Sequence, residues 1–208
     1  MSDDPVERLK AARLPASWFQ RDVLVVAKEL VGTVLVHKRR AGIIVETEAY
    51  GGPEDLASHT RFGAGTGTKR TDVMFGPGGV AYVYLCYGVH EMMNIVTGVD
   101  GQGQAVLIRA IAPYLGLPDD PHVGRGPGKV TTALGIDRRL DRKDLASGPL
   151  FVAEGLAPTA VATGPRIGVA YAKEWAAKPY RFWWRDHASV SRPATASART
   201  TESTIRKR

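Results

Sequence analysis

The feature that most restricts the fold of this chain is an alternating, β-forming run from Val80 to His90. Side chains on a strand point alternately to opposite faces, so Tyr82 and Tyr84 share one face. Tyr87-Gly88 has the composition of a hairpin tip, and Glu91 to Thr97 continues as a second strand. Because hairpins join antiparallel strands, this region predicts an antiparallel sheet.

The tyrosines of this region are interpreted either as core residues or as a binding surface. An aromatic side chain on a strand is usually buried, and this is the favoured interpretation for Tyr82. Tyr87 lies beside a turn glycine, where burial is difficult, and it suits a wedge that enters a stack of bases. Tyr50 and Tyr84 are suited to form walls around a planar ring.

A second extended segment, Val45-Glu-Thr-Glu-Ala-Tyr50, carries two carboxylates and a phenol two residues apart. Glu46, Glu48 and Tyr50 therefore project from one side of a strand. A buried carboxylate requires a partner, so this face is either exposed to solvent or part of a functional site. The segment alone leaves both alternatives open.

Hydrophobic periodicity elsewhere predicts more strands than helices. A helix is expected from Val23 to Val31, ended by Gly32, and a shorter one from Pro127 to Gly135. Residues 51–79 carry eight glycines and predict a long functional loop. Further strands are expected at Thr33–Lys38, Ile43–Tyr50, Ala105–Ile111, Val161–Tyr171 and Tyr180–Trp184. These elements predict a mixed α/β (α+β) fold, a single domain with a mainly antiparallel sheet and flanking helices.

Length and composition predict one domain with flexible ends. A chain of 208 residues, 44% of them hydrophobic, can bury one sizeable core. We expect a flexible segment at 1–13, the folded domain at 14–185 and a basic, disordered tail at 186–208. The tail holds five Arg or Lys against two acidic residues, which suits contact with polyanions or simple solubility. The alternative is that Val190 or Ile205 docks the tail on the core.

The sequence also predicts a cellular location. No apolar run approaches the length that spans a bilayer, and the N-terminal residues lack the apolar core of a signal peptide. Cys86 is the only cysteine, so an internal disulfide is impossible. We therefore expect a cytoplasmic protein without a membrane partner.

Motif searches give few signals. Arg125-Gly-Pro-Gly-Lys129 lacks the first glycine and the final Ser or Thr of a phosphate loop, so it is not a nucleoside triphosphatase signal. The segment still suits a DNA phosphate, because it presents backbone N–H groups and a lysine at a helix start. The five histidines show no zinc spacing, and a metal site from Glu48, His59 and His90 is kept as an alternative.

Nine short segments of the chain occur in a specific order. They are Val45–Tyr50, Gly52–Asp55, Ser58-His59, Met74–Pro77, Tyr82–Tyr84, Tyr87–His90, Met93-Asn94, Leu107–Ala110 and Gly126–Lys129. In this order they resemble the alkyladenine (3-methyladenine) DNA glycosylases, with similarity that is continuous from about Leu14 to Trp184. The resemblance implies a curved antiparallel sheet and a monofunctional base excision enzyme without a metal or other cofactor.

The resemblance implies a role for each matching residue of the catalytic centre. Glu48 matches the general base, which activates the water that attacks the sugar C1′. Arg109 matches the arginine beside that carboxylate. Ile167 matches the position whose backbone carbonyl helps to hold the water. No role for Glu46 is implied.

The resemblance also implies how the base is bound. Tyr50 matches one wall of the base pocket, and His59 and Tyr84 match the other. Asn94 matches the side chain that clashes with the exocyclic amine of normal guanine. Tyr87 matches the residue that fills the gap left by the flipped nucleotide.

The contacts to the DNA backbone are the part that departs from the family pattern. The family's Thr-Pro-Arg-Asn segment is replaced by Thr68-Lys-Arg-Thr71, after a lengthened glycine-rich loop. The segment between Asn94 and Arg109 is also two residues longer than in the animal enzymes. The expected contacts to the DNA backbone are Arg61, Arg70, Arg125 and Lys129.

Together these inferences predict a monomeric DNA repair glycosylase whose partner is double-stranded DNA containing damaged purines. It is expected to flip 3-methyladenine and 7-methylguanine out of the duplex, with hypoxanthine and ethenoadenine as further candidates, and to leave an abasic site. In a bacterium it would associate with the nucleoid. The main alternative is a protein that binds damaged or single-stranded nucleic acid without cleaving it. Glu48 argues against that alternative, because a carboxylate repels phosphate; a metal-dependent hydrolase is a third possibility.

Overall fold

The computed structural model describes residues 4–62 and 68–191. In these ranges the helices are α1 (Pro5–Ala11), α2 (Ala16–Phe19), α3 (Val23–Glu29) and α4 (Pro127–Leu134). The strands are β1 (Val34–His37), β2 (Arg40–Tyr50), β3 (Ala81–Cys86), β4 (His90–Thr97), β5 (Gln104–Leu115), β6 (Leu150–Ala153), β7 (Val161–Gly164) and β8 (Arg181–Trp184). Short 3₁₀ helices lie at His59–Phe62, Asp72–Phe75, Arg138–Leu140 and Ala170–Ala177.

The eight strands form one curved, antiparallel sheet, which confirms the predicted fold class. The order along the sheet is β3-β4-β5-β2-β1-β6, and β8 pairs with both β2 and β7. The long strand β5 lines one edge of β2, while β1 and then β8 pair with successive parts of β2. Register shifts on either side of Glu46 bend β2 just before Glu48.

Both faces of the sheet are covered by apolar side chains. On one face, Leu35 and Ile44 pack in a cluster with residues of α3 and α4. On the other face, Val36 and Val45 pack with Leu9 of α1 and with Val190. The site residues of β2 therefore lie in the interior of the protein and not on a solvent-facing strand.

Both predicted helices are present, and α4 ends at Gly135 as predicted, whereas α3 ends at Glu29, before Gly32. Gly135 has φ 67° directly after α4, and Pro127 occupies the first turn of that helix. Gly32 follows α3 with φ 100°, and a Cβ there would lie 2.1 Å from the carbonyl oxygen of Leu156. Only glycine fits this close approach without strain.

One predicted strand was too long and one strand was missed. The strand expected at Val161–Tyr171 ends at Gly164, since Pro165 has no N–H for the ladder and Gly168 takes a positive φ of 78°. Strand β6 was not predicted, because its four residues are all buried and show no alternation.

Parts of both ends that were expected to be flexible have defined structure, while the domain boundaries stay a prediction. Residues 5–11 form α1, whose Val6 and Leu9 are buried. At the other end, residues 186–191 lie on the domain and Val190 is 4% exposed, as the docking alternative proposed. Ile205 and the rest of the expected tail, 192–208, lie outside the described residues. In the described part of the chain, no helix is long and apolar enough to cross a membrane.

Candidate active site

Glu48 is fully buried and is held by three donors. Its Oε1 accepts the backbone N–H of Ile167 at 2.7 Å and lies 3.2 Å from Nη1 of Arg109. Its Oε2 accepts the hydroxyl of Tyr50 at 2.9 Å. Glu46 is also completely buried, so the alternative of a solvated carboxylate face is wrong.

The position of Glu48 changes its ionisation. Burial raises the pKa of the Glu48 carboxyl above the ordinary value, because a buried charge loses its hydration. Arg109, the Ile167 N–H and the Tyr50 hydroxyl act in the opposite direction and offset part of that effect. The Glu48 carboxylate is therefore more basic than that of an exposed glutamate, and its position is fixed by three donors.

Arg109 reaches the site from β5 and binds both carboxylates of β2. Its Nε donates to Oε1 of Glu46 at 3.2 Å, and its Nη1 pairs with Glu48. Sequence reasoning placed Arg109 beside Glu48 but assigned nothing to Glu46. The available signal was the two-residue spacing, which puts both carboxylates within reach of one guanidinium.

A cavity of about 240 Å³ opens in front of this group. Tyr50, Arg109 and Ile167 line it and each contacts Glu48, so they stand between the cavity and the carboxylate. Tyr50, His59, Tyr84, Asn94 and Tyr87, all predicted to bind the base or the DNA, also line the cavity. The structure therefore brings together every pocket residue that the resemblance implied.

One wall of the cavity is aromatic. The Tyr82 and Tyr84 rings are stacked with centroids 5.2 Å apart, and the His59 ring meets Tyr84 edge-on at 4.8 Å. Tyr82 is buried in the core, as predicted, but its hydroxyl also contacts Nδ1 of His59 at 3.1 Å. Burial, followed by the charges of Arg70 and Arg61, lowers the pKa of His59 to about 4. His59 is therefore neutral at physiological pH.

The opposite wall, Tyr50, is supported from behind by a buried ion pair. Arg166 lies 4.8 Å from the Tyr50 ring centroid and donates from Nη2 to Oδ1 of Asp55 at 2.8 Å. Asp55 also accepts the backbone N–H of Ala57, and Arg166 donates to the carbonyl of Ala49. Asp55 lies in one of the nine segments that carried the resemblance and Arg166 lies in the wider region of similarity, but sequence reasoning gave neither residue a role.

Asn94 and Ile167 are fixed by backbone contacts. The Asn94 side-chain amide donates to the carbonyl of Tyr82 at 3.2 Å, which orients it at the cavity wall. The N–H of Ile167 binds Glu48, whereas the predicted function of its carbonyl, holding the water, stays a prediction.

Tyr87 stands at the tip of the β3–β4 hairpin and is 98% exposed. It has φ 50° and is followed by Gly88 with φ 71°, a turn closed by the Val89 N–H on the carbonyl of Cys86. The ring therefore projects into solvent from the tip of the hairpin, next to exposed Val89, and its contact with DNA stays a prediction.

The four predicted backbone-contact residues lie close in space or in sequence to residues that line the cavity. Arg61 is near cavity-lining Tyr171, and Arg70 is near Tyr84. Arg125 and Lys129 flank Pro127, which lines the cavity, but Nε of Arg125 is occupied by the carbonyl of Val190 at 2.8 Å. Their contact with DNA stays a prediction.

A metal site from Glu48, His59 and His90 is not formed. Across residues 4–62 and 68–191, no three His, Cys, Asp or Glu side chains are grouped so that they could hold a metal ion.

Comparison with known proteins decides the family. The family model for methylpurine-DNA glycosylase matches residues 17–188. The chain belongs to the methylpurine-DNA glycosylase family. It is therefore a DNA glycosylase, as the resemblance predicted.

Individual relatives agree with this assignment, and each is provisionally named a 3-methyladenine DNA glycosylase. The protein of Myxococcus xanthus (strain DK1622) is 50% identical over 185 residues, which cover 86% of this chain and 93% of the relative. That of Anaeromyxobacter dehalogenans (strain 2CP-C) is 51% identical and 88% of each chain is covered. That of Legionella pneumophila (strain Corby) is 46% identical over 86% of this chain and 98% of its own length.

The Asp55–Arg166 pair generates a stability prediction. Asp55→Asn keeps an acceptor for Ala57 but leaves the Arg166 charge buried without its counter-ion. We expect a loss of about 3–5 kcal/mol of unfolding free energy, measured by urea denaturation. Asp119→Asn, in an exposed loop, is the matched control and should change stability by less than about 0.5 kcal/mol. Equal stability of the two variants would contradict the structural role of the pair.

Proposed function

We propose that this glycosylase flips alkylated purines out of duplex DNA and hydrolyses their N-glycosidic bond with a water that Glu48 activates. The observation that carries the proposal is the buried Glu48 carboxylate, held by three donors directly behind an aromatic cavity. A general base needs an ionisable group, a fixed position and access to the substrate's water. Glu48 offers the first two. Access for the substrate's water is proposed from the cavity side, which Tyr50, Arg109 and Ile167 line.

The Glu48 oxygens differ in their capacity to take a water. Oε1 already accepts two donors, from Ile167 and Arg109. Within the described residues, Oε2 accepts one hydrogen bond, from the Tyr50 hydroxyl, and a carboxylate oxygen has two lone pairs. Oε2 is therefore the atom to which we assign the water. One proton of the water passes to Glu48 as the water oxygen bonds to C1′ and the C1′–N bond breaks. The products are an abasic site and the free base.

The cavity suits cationic purines. Bases methylated at N3 or N7 carry a positive charge and are good leaving groups, so they need no separate acid. The faces of Tyr50 and Tyr84 attract a flat cation, and neutral His59 does not repel it. We therefore propose 3-methyladenine and 7-methylguanine as the principal substrates, and Asn94 as the group that disfavours normal guanine. Excision of hypoxanthine or ethenoadenine requires protonation of the base as well.

The reaction is proposed to be monofunctional and independent of metal. Cutting the strand requires an amine nucleophile, and no lysine lines the cavity among the described residues. Base release should continue in EDTA. Monomeric state and a nucleoid-associated location are proposed on the sequence alone.

Tyr87 is proposed as the wedge that stabilises the flipped state. Extruding a nucleotide costs a few kcal/mol, which insertion of an aromatic ring into the vacated stack partly offsets. An exposed ring on a tight hairpin, at the mouth of the cavity, has the position that this task requires.

The first functional test is Glu48→Gln. The amide oxygen can keep the Ile167 contact and the amide nitrogen can donate to Tyr50, so the fold should persist while the base is lost. We expect single-turnover release of 7-methylguanine to fall by about 10²-fold or more, with lesion-DNA binding within a few fold. Exposed Glu54→Gln is the control and should match the wild type. Substantial turnover by Glu48→Gln would remove Glu48 as the base and favour another mechanism.

The pH dependence tests the same carboxyl. The base must be ionised, so the single-turnover rate should rise as pH rises through the pKa of Glu48. Because burial raises that pKa, the limb should be centred above 4.5, the ordinary glutamate value. His59, with a pKa of about 4, should add no second limb between about pH 5 and pH 8. A flat profile down to pH 4 would show that no group with a raised pKa controls the step.

Tyr87→Ala should separate base flipping from chemistry. We expect excision from a fully paired duplex to fall by about 10-fold or more, because the wedge offsets part of a cost of a few kcal/mol. A substrate with the lesion in an unpaired loop should lose much less. Val89→Ala, which removes a neighbouring exposed apolar side chain of the same turn, is the comparison. Equal losses on both substrates would assign Tyr87 a role other than the wedge.

A further inference from the structure

Glu46 is a buried carboxylate that the proposed reaction does not use. Its Oε1 accepts Nε of Arg109 at 3.2 Å and Nη1 of Arg181 at 3.3 Å. Its Oε2 accepts the backbone N–H of Ser191 at 2.7 Å. Burying an ion pair often gives no net stability compared with apolar residues, so stability alone is a weak reason for this arrangement.

The guanidinium of Arg109 is shared between two carboxylates. One edge, Nε, binds Glu46, and a second nitrogen, Nη1, pairs with Glu48. A guanidinium is planar and rigid, so fixing one edge also fixes the direction of the others. The position of Arg109 relative to Glu48 therefore depends on Glu46.

Ser191, the last described residue, contacts both Glu46 and Arg109. The Ser191 N–H occupies Oε2 of Glu46, and the Ser191 hydroxyl accepts Nη2 of Arg109 at 3.4 Å. Next to it, buried Val190 packs against the sheet and its carbonyl accepts Nε of Arg125 at 2.8 Å. The segment 189–191 is thus tied to the site and to the segment that leads into α4.

We propose that Glu46 and the backbone of Ser191 are positioning groups for the reaction. They hold the Arg109 guanidinium against Glu48, and the charge of Glu46 weakens the electrostatic effect of Arg109 on the Glu48 carboxylate. This inference rests on the proposed role of Glu48 as the base.

The electrostatic consequence has a definite sign. The charged and titratable groups that face the two carboxylates are Arg109 on β5, Arg181 on β8, Tyr50 on β2 and Arg166 before Ile167. Burial is the largest cause of the raised pKa of Glu48, and the negative charge of Glu46 raises it further. Without that charge, Arg109 acts on Glu48 with no competing carboxylate, so the pKa of Glu48 should fall.

Glu46→Gln and Glu46→Asp are the matched pair that tests this. Glu46→Gln removes the charge, so the acid limb of the single-turnover profile should move to lower pH. Its plateau should fall by roughly 10- to 100-fold, because Arg109 loses its support. Glu46→Asp keeps the charge on a shorter side chain. Its maximal single-turnover rate should therefore fall, while the pH at which the rate rises should stay near that of the wild type. Melting temperatures are measured in parallel.

Two substitutions test the backbone of Ser191. Ser191→Ala and Ser191→Pro both remove the hydroxyl, but only proline removes the N–H that binds Glu46. The plateau should fall more for proline than for alanine. Deleting residues 194–208 is the control for the basic tail. It removes four basic residues and one acidic residue, so nonspecific DNA affinity should fall while the plateau is unchanged.

The outcomes distinguish this inference from the proposed function. An active Glu48→Gln overturns the proposed function and this inference with it. If Glu48→Gln is inactive, the inference alone is overturned when the acid limb of the Glu46→Gln rate profile stays at the wild-type pH or moves to higher pH. This holds even when Glu46→Gln has a lower melting temperature than the wild type. If Glu46→Gln does not fold, the Ser191 pair decides: equal plateaus for alanine and proline overturn the inference, and a selective loss in proline supports it.

Discussion

The site depends on a row of buried charges that crosses three strands. Glu48 and Glu46 on β2 alternate with Arg109 from β5 and Arg181 from β8. Each charge has an opposite neighbour, so the group can be buried without leaving an ion unpaired. This arrangement requires β2 to have a strand on each side, which the eight-stranded antiparallel sheet provides. The curved sheet is therefore the means by which a basic carboxylate is kept beneath a cavity.

Much of this arrangement follows from local sequence. The spacing of Glu46, Glu48 and Tyr50 predicts one strand face, and Tyr87-Gly88 predicts the hairpin tip. Helices α3 and α4 follow from periodicity, and the end of α4 follows from the positive φ that Gly135 tolerates. Local patterns of this kind are short-range, so they can be recognised without knowledge of the tertiary structure.

The remaining features depend on contacts between distant parts of the chain. Neither Asp55 with Arg166 nor Glu46 with Ser191 shows a sequence signal, because 111 residues separate the first pair and 145 the second. The same reason explains why Ser189 and Ser191 were expected in the tail: both are polar, and only their burial shows that they pack on the domain. Strand β6 was missed because a short, fully buried strand has no alternation to detect.

The hairpin tip has a consequence for how lesions are found. Tyr87 holds a left-handed backbone conformation, which costs a non-glycine residue about 1–2 kcal/mol. The ring is therefore presented on a tight turn with a defined backbone conformation, so the proposed insertion into DNA would cost little loop entropy. In the proposed wedge role, such an arm would test successive base steps and insert most readily at a weakly stacked lesion.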